Sequence, residues 1–257
     1  MLLLGAGPGC ARRQTEVDLL SGVQVMTFRH DYANAHVVRS GAHVFMMDAG
    51  LQANAKLLES DLRAKGIAPE RLRAIVLSHG HADHAGGAAY FRKKFGTPIV
   101  AGAGDRQLLA HGQNDHLCPT SSAAQDRVAD DQVARFEPFE ADVWVDGPAD
   151  LQGLTGVAGS IVPIPGHTEG SLVVIVSNGA LVGDLFRGAI LANTAEAHYY
   201  MCDLDDNRRD VKEVLERWAP SAAHFFVGHF GEVSRHAVVS RFGSSRAPGV
   251  RDARSSR

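Results

Sequence analysis

Apolar and polar positions alternate through the first part of the chain. Val23-Gln24-Val25-Met26-Thr27-Phe28, Ala35-His36-Val37-Val38 and His43-Val44-Phe45-Met46-Met47-Asp48 read as three strands joined by turns at 30–34 and 40–41. Leu51, Ala55, Leu58 and Leu62 then recur at spacings of four and three, which predicts an amphipathic helix ended by Gly66. The short apolar run Ala74-Ile75-Val76-Leu77 predicts a buried strand. A helix over 84–95, stopped by Gly96, and a strand over 98–101 follow. Residues 102–141 are less regular: short helices over 105–111 and 126–136 flank a small, polar loop at 116–124. Such a segment suits an insert covering a site. Order returns with strands at 143–145 and 160–164, and with a hairpin of 171–176 and 180–182 around Asn178-Gly179. A capped helix over 207–218 places Val211, Val214, Leu215 and Trp218 on one face. A last strand over 224–227 and a last helix over 232–242 complete the pattern. Strands with helices, then the same theme again, predict an α/β protein with two sheets face to face and helices outside. Residues 1–22 carry no clear periodicity and read as a leader, 23–243 as one domain, and the Ser- and Arg-rich 244–257 as a disordered tail.

Composition narrows the choice of partners. The 257 residues are 45% hydrophobic, enough to bury a large core. A formal charge of −3 supplies no basic field for nucleic acid. No apolar run reaches the ~20 residues of a membrane span. Cys10, Cys118 and Cys202 are too far apart to form a cysteine metal site. Cys118 and Cys202 can pair if Cys10 is modified. The stretch before Cys10, apolar and then small, looks like the end of a bacterial lipoprotein signal that lacks its charged start. A lipidated Cys10 would place the protein at the cell envelope or periplasm, membrane-attached through that residue alone; otherwise a cytoplasmic location is expected.

The chemistry concentrates in Ser78-His79-Gly80-His81-Ala82-Asp83-His84. His79 and His81 are two apart, so an extended backbone points both the same way, whereas a helix would separate them by about 200°. Gly80 and Ala82 let the backbone curl close around an ion. Asp83 and His84 are adjacent and diverge, which suits two metals better than one. A two-metal site needs further ligands at strand ends. His167 in Pro165-Gly166-His167, Asp184 in Val182-Gly183-Asp184 and His229 in Val227-Gly228-His229 each follow a strand and a glycine.

With these motifs in this order, the chain resembles the metallo-β-lactamase-fold hydrolase superfamily over roughly residues 23–243. The resemblance implies an αββα four-layer sandwich. It also implies that His79, His81 and His167 hold one metal, that Asp83, His84 and His229 hold the other, and that Asp184 bridges them. Asp48-Ala49-Gly50 matches the family's Asp-x-Gly, whose carboxylate supports the ligand loop from behind. Asn34 resembles an early family asparagine. Aspartate at the bridging position is similar to the glyoxalase-II-like thioesterases, the lactonases and the phosphodiesterase branches, whereas β-lactamases of this fold usually carry Cys or Ser there. The lactonase pattern places Tyr three residues after that aspartate, and here the residue is Arg187.

The implied activity is that of a dinuclear zinc hydrolase, with iron or manganese as other metals. A metal-bridging hydroxide would attack an ester, thioester, lactone or amide carbonyl, with Asp83 and Asp184 as the catalytic carboxylates. The alternatives are a mononuclear iron enzyme of the sulfur dioxygenase type and a β-lactamase-like activity. Arg187, His198 and Tyr199 are the candidate substrate contacts.

Overall fold

The computed structural model describes residues 13–243. The expected signal around Cys10 and the expected tail 244–257 lie outside the described residues. Two sheets, each laid out in chain order, face one another. The first is β1 (Arg13–Asp18), β2 (Val23–His30), β3 (Ala33–Ser40), β4 (His43–Met47), β5 (Ile75–Val76), β6 (Ile99–Gly102) and β7 (Val143–Val145). It is antiparallel up to β4 and parallel from there. The second is β8 (Ala149–Asp150), β9 (Ser160–Pro163), β10 (Leu172–Val176), β11 (Gly179–Gly183), β12 (His224–Val227) and β13 (Val233–Ser234). Only β11 and β12 are parallel neighbours in this sheet.

Side-chain alternation sorts the strands into layers. In β4, Phe45 and Met47 point between the sheets, whereas Val44 and Met46 meet Leu58 and Leu62 of the helix Ala55–Ala64 and Phe91 of the helix Ala88–Phe95. In β11 and β12, Leu181 and Phe226 point between the sheets. Ala180, Val182, Phe225 and Val227 meet Val211, Val214 and Leu215 on one covering helix and Val238 on another. The result is the expected αββα sandwich. Each of these large side chains contributes about 1.5–3 kcal/mol by leaving water.

Several local expectations change. Residues 13–18, expected to lack regular structure, form a strand: Arg13–Asp18 pairs along β2 and Leu19 is buried between the sheets. The helix expected over 84–95 is two pieces, Ala82–Ala85 and Ala88–Phe95. The break falls where Gly87 lies against Ala49, whose carbonyl oxygen would stand 2.2 Å from a Cβ. Val176 pairs with Gly179, so the hairpin turn is Ser177-Asn178, one residue earlier than expected, with Ser177 at φ 52°. The helix expected over 207–218 is capped by Asp203, runs Leu204–Glu213 and widens into a π-helix over Val214–Trp218. The last helix is Arg235–Phe242, preceded by β13. Within the insert, the expected loop holds a helical turn, Ser122–Gln125, and the second helix shortens to Val128–Gln132.

Candidate metal centre

The ends of β4, β5, β9, β11 and β12 open at one edge of the sandwich and deliver Asp48, residues 78–84, His167, Asp184 and His229 to a single place. Glycines permit the approach. A Cβ on Gly183, where φ is 53°, would stand 2.5 Å from Ser78 Cβ, and one on Gly228 would stand 2.1 Å from Asp184 Oδ1.

Each of the five histidines in the expected ligand set has one ring nitrogen engaged outward. Asp48 Oδ2 accepts from His84 Nδ1 at 2.9 Å and from Ser78 Oγ at 2.8 Å, and Asp48 Oδ1 accepts from Ser78 N at 2.7 Å. With its proton given to Asp48, Ser78 Oγ accepts from His79 Nδ1 at 2.9 Å. His167 Nδ1 donates to Tyr200 O at 3.1 Å, His229 Nδ1 to Tyr32 O at 2.8 Å, and His81 Nε2 to Asp115 Oδ1 at 2.7 Å. These acceptors orient the rings and leave the opposite nitrogens facing inward.

The inward atoms form two groups. His79 Nε2 and His167 Nε2 each lie 3.1 Å from His81 Nδ1. Asp83 Oδ2 lies 3.7 Å from His84 Nε2 and 3.4 Å from His229 Nε2. Asp184 Oδ2 stands between the groups, 3.3 Å from His84 Nε2, 3.1 Å from His229 Nε2 and 3.8 Å from both His79 Nε2 and His167 Nε2. Ligands ~2.0–2.1 Å from a tetrahedral zinc ion stand about 3.3 Å apart, so the spacing fits metal coordination. The unsatisfied atoms agree: His84 Nε2, Asp184 Oδ1 and His198 Nε2 are buried without a hydrogen-bond partner.

The electrostatics also call for a cation. Burial raises the Asp184 carboxyl, yet His198, His229 and His84 outweigh it and hold the group well below its ordinary range. Burial lowers His84 and His229, yet the surrounding carboxylates, Asp184 foremost, raise both. His79 and His167 are pushed well below the usual imidazole range by burial and then by neighbouring imidazoles. Two neutral nitrogen donors beside anionic carboxylates are a metal-ligand environment.

Two supports escaped the sequence reading. Asp105 Oδ2 accepts from Gly80 N at 2.7 Å and Thr168 Oγ1 at 2.8 Å, and its Oδ1 accepts from Gly170 N at 2.9 Å. It thus ties the first histidine loop to the His167 loop. Asp115 orients His81 from the insert. Neither belongs to a local motif, because their partners lie 25 to 65 residues away. Asn34 donates through Nδ2 to Val227 O at 2.7 Å and Phe230 O at 2.9 Å, fixing the turn that carries His229.

A cleft of about 270 Å³ opens over the cluster. His81, Asp83, Asp184 and His229 form its floor, and His198, Tyr199 and Tyr200 line it together with Leu117 and Arg127 of the insert. Arg187 is not among the lining residues: its guanidinium lies 4.1 Å from the Tyr199 ring centre and donates to Gly188 O at 2.9 Å. Arg29 also lines the cleft and has a buried Nε without a partner. The insert is stitched to the far wall by Thr120 N to Tyr199 O, Met201 N to Cys118 O and a Cys118–Cys202 disulfide.

Solved structures share this architecture. A metallo-beta-lactamase with a HARLDQ motif from Cronobacter sakazakii superposes with a TM-score of 0.61 at 20% identity, covering 86% of this chain and 80% of its own. MIM-1 from Novosphingobium pentaromativorans gives 0.60 at 22% identity, covering 86% and 78%. Among curated proteins, a hydroxyacylglutathione hydrolase of Anaeromyxobacter dehalogenans is 30% identical over 149 residues, 58% of this chain and 44% of that protein. A probable metallo-hydrolase, YybB, of Bacillus subtilis is 26% identical over 151 residues, 58% of this chain and 60% of that one. The chain thus spans about half the length of the curated relatives it matches. The sequence model of the metallo-beta-lactamase superfamily matches residues 29–229, and the chain belongs to that superfamily.

Proposed function

We propose that the protein is a dinuclear zinc hydrolase that cleaves an ester, thioester, lactone or amide bond of a small molecule. The observation that carries this reading is the set of five histidines, each tied outward through one ring nitrogen, whose other nitrogens converge with Asp83 and Asp184. Zinc bound there supplies Lewis acidity and water of lowered pKa.

This chain's own residues do the rest. His79, His81 and His167 would hold one ion, Asp83, His84 and His229 the other, and Asp184 both. Asp83 faces the cleft and is placed to orient the attacking water and take up its proton. Tyr32, stacked 5.9 Å from His229, is held protonated by burial and then by Asp83, and offers a donor to the substrate. Arg29 and Arg127, both lining the cleft, support a substrate with an anionic group remote from the scissile bond. The insert and Tyr199 keep bulk water from the floor. The Cys118–Cys202 bond supports an oxidising compartment such as the cell envelope.

The test is a screen of zinc-loaded protein against thioester, lactone, β-lactam and phosphodiester reporters, with Asp184→Ala as control. Turnover of a carbonyl reporter, lost in the control, is expected. Unchanged activity in Asp184→Ala would remove its bridging role. One iron per chain with oxygen uptake would replace the reading by an oxidoreductase of the sulfur dioxygenase type.

A further inference from the structure

We propose that His198 is a ligand of the metal centre through Nε2, in addition to the seven residues named above. This rests on the reading of the cluster as a metal site and adds a residue outside the matched motifs. Its side chain is only 4% exposed, and its Nε2 lies 3.0 Å from Asp184 Oδ2. His198 also forms with His167 and Asp184 a group whose ligand atoms lie within 4.8 Å of one another.

Proximity alone would also suit an imidazole donating a hydrogen bond to Asp184. The direction of the ring argues otherwise. Despite the 3.0 Å separation, Nε2 is not aligned with Oδ2 as a donor and is left as a buried nitrogen without a hydrogen-bond partner. His84 Nε2 behaves identically, 3.3 Å from the same oxygen and likewise unpartnered. The back of the His198 ring meets the backbone of Tyr200. Its Nδ1 is 3.2 Å from Tyr200 O, the carbonyl that also takes the Nδ1 proton of His167. Tyr200 N is equally distant and would suit the opposite tautomer, so the side facing Asp184 decides. There, an unaligned Nε2 among anionic oxygens and basic nitrogens fits a lone pair directed at a cation. Packing holds the ring in place: it stacks on His229 with centres 5.2 Å apart and meets His167 edge-on at 4.7 Å. His198 is thus a ligand brought by the wall of the cleft, on the segment that the Cys118–Cys202 bond fastens to the insert.

The experiment is proton NMR of the cobalt-substituted protein in water, where each ligating imidazole contributes one exchangeable, strongly shifted N–H signal. Wild type is expected to show six, one more than His79, His81, His84, His167 and His229 supply. His198→Phe, which keeps a ring against His229, is expected to lose one. The cobalt absorption bands should move, and affinity in chelator competition should fall on the order of tenfold. His198→Gln should give the same loss of signal if the phenylalanine variant folds poorly. If either folded variant keeps every shifted signal, the absorption spectrum and the affinity, His198 is not a ligand. Cobalt content of the wild type tests the dinuclear reading separately: one ion per chain would sink that reading, while the paired spectra would still decide His198.

Discussion

Asp48 Oδ2 sits 2.9 Å from His84 Nδ1, with the carboxylate fully buried and the aspartate itself in the left-handed region at φ 64°. The same carboxylate holds both the amide and the hydroxyl of Ser78, so one side chain sets the orientation of His79 and His84 together. Asp48→Asn presents an N–H where two donors already point. Zinc affinity is expected to fall about 10–100-fold, with both ions affected, as chelator competition would measure.

Asp105 tests a different kind of support. Its removal as Asp105→Ala strands the buried amides of Gly80 and Gly170, each worth about 1–3 kcal/mol when left unsatisfied. Denaturant unfolding should show a loss of about 2–6 kcal/mol. Metal affinity should fall for the His79–His81–His167 group more than for the other. Loss of stability without loss of metal affinity would confine Asp105 to a structural role.

His36 supplies a pH signature away from the ligands. Burial, which outweighs the raising effect of Asp48, lowers its pKa to about 4 from an ordinary 6.5. It is neutral in the folded state and takes a proton on unfolding between those values. Its contribution is therefore complete above pH 6.5 and is lost as pH falls toward 4, about 3 kcal/mol over the interval. Thermal melts of wild type should steepen in that window. His36→Gln, which retains polar partners for Thr27 and the Val227 carbonyl, should flatten the slope.

The disulfide closes a separation of 84 residues and joins the insert to the wall beside Tyr200. Reduction, or the Cys118→Ser/Cys202→Ser double variant, is expected to cost about 2–4 kcal/mol in unfolding experiments. KM should rise, because Leu117 and Tyr199 face the cleft, whereas the zinc content should hold if the floor is independent of the insert. A matching loss of metal would show that Asp115 and His198 carry the insert's position into the centre.

Much of this was legible in the chain itself. His79, His81, Asp83 and His84 stand in a short local code, and His167, Asp184 and His229 each follow a strand and a glycine. The order of strands and helices, repeated once along the chain, was enough to anticipate two sheets with helices outside. What stayed hidden depends on distance. β1 reads as polar because this edge strand is held by backbone pairing and only Val17 packs, partly buried, against the core. The break at Gly86-Gly87 comes from the Ala49 and Gly50 backbone pressing on those glycines, which no helical pattern reports. Asp105 and Asp115 look like ordinary surface carboxylates until the loops they serve are brought beside them. His198 had only its position between Asp184 and His229 to recommend it, and its ring direction required coordinates.

Because each sheet follows chain order, the molecule divides at residues 146–148 into two consecutive halves. The first half brings His79, His81, Asp83 and His84, and the second brings His167, Asp184 and His229. On the proposed two-metal reading neither half owns a complete coordination sphere, so each ion would be a rivet between them. Two polypeptides cut at that seam and expressed together should reassociate when zinc is present and drift apart when it is chelated, a behaviour that would make the sandwich itself a switchable join.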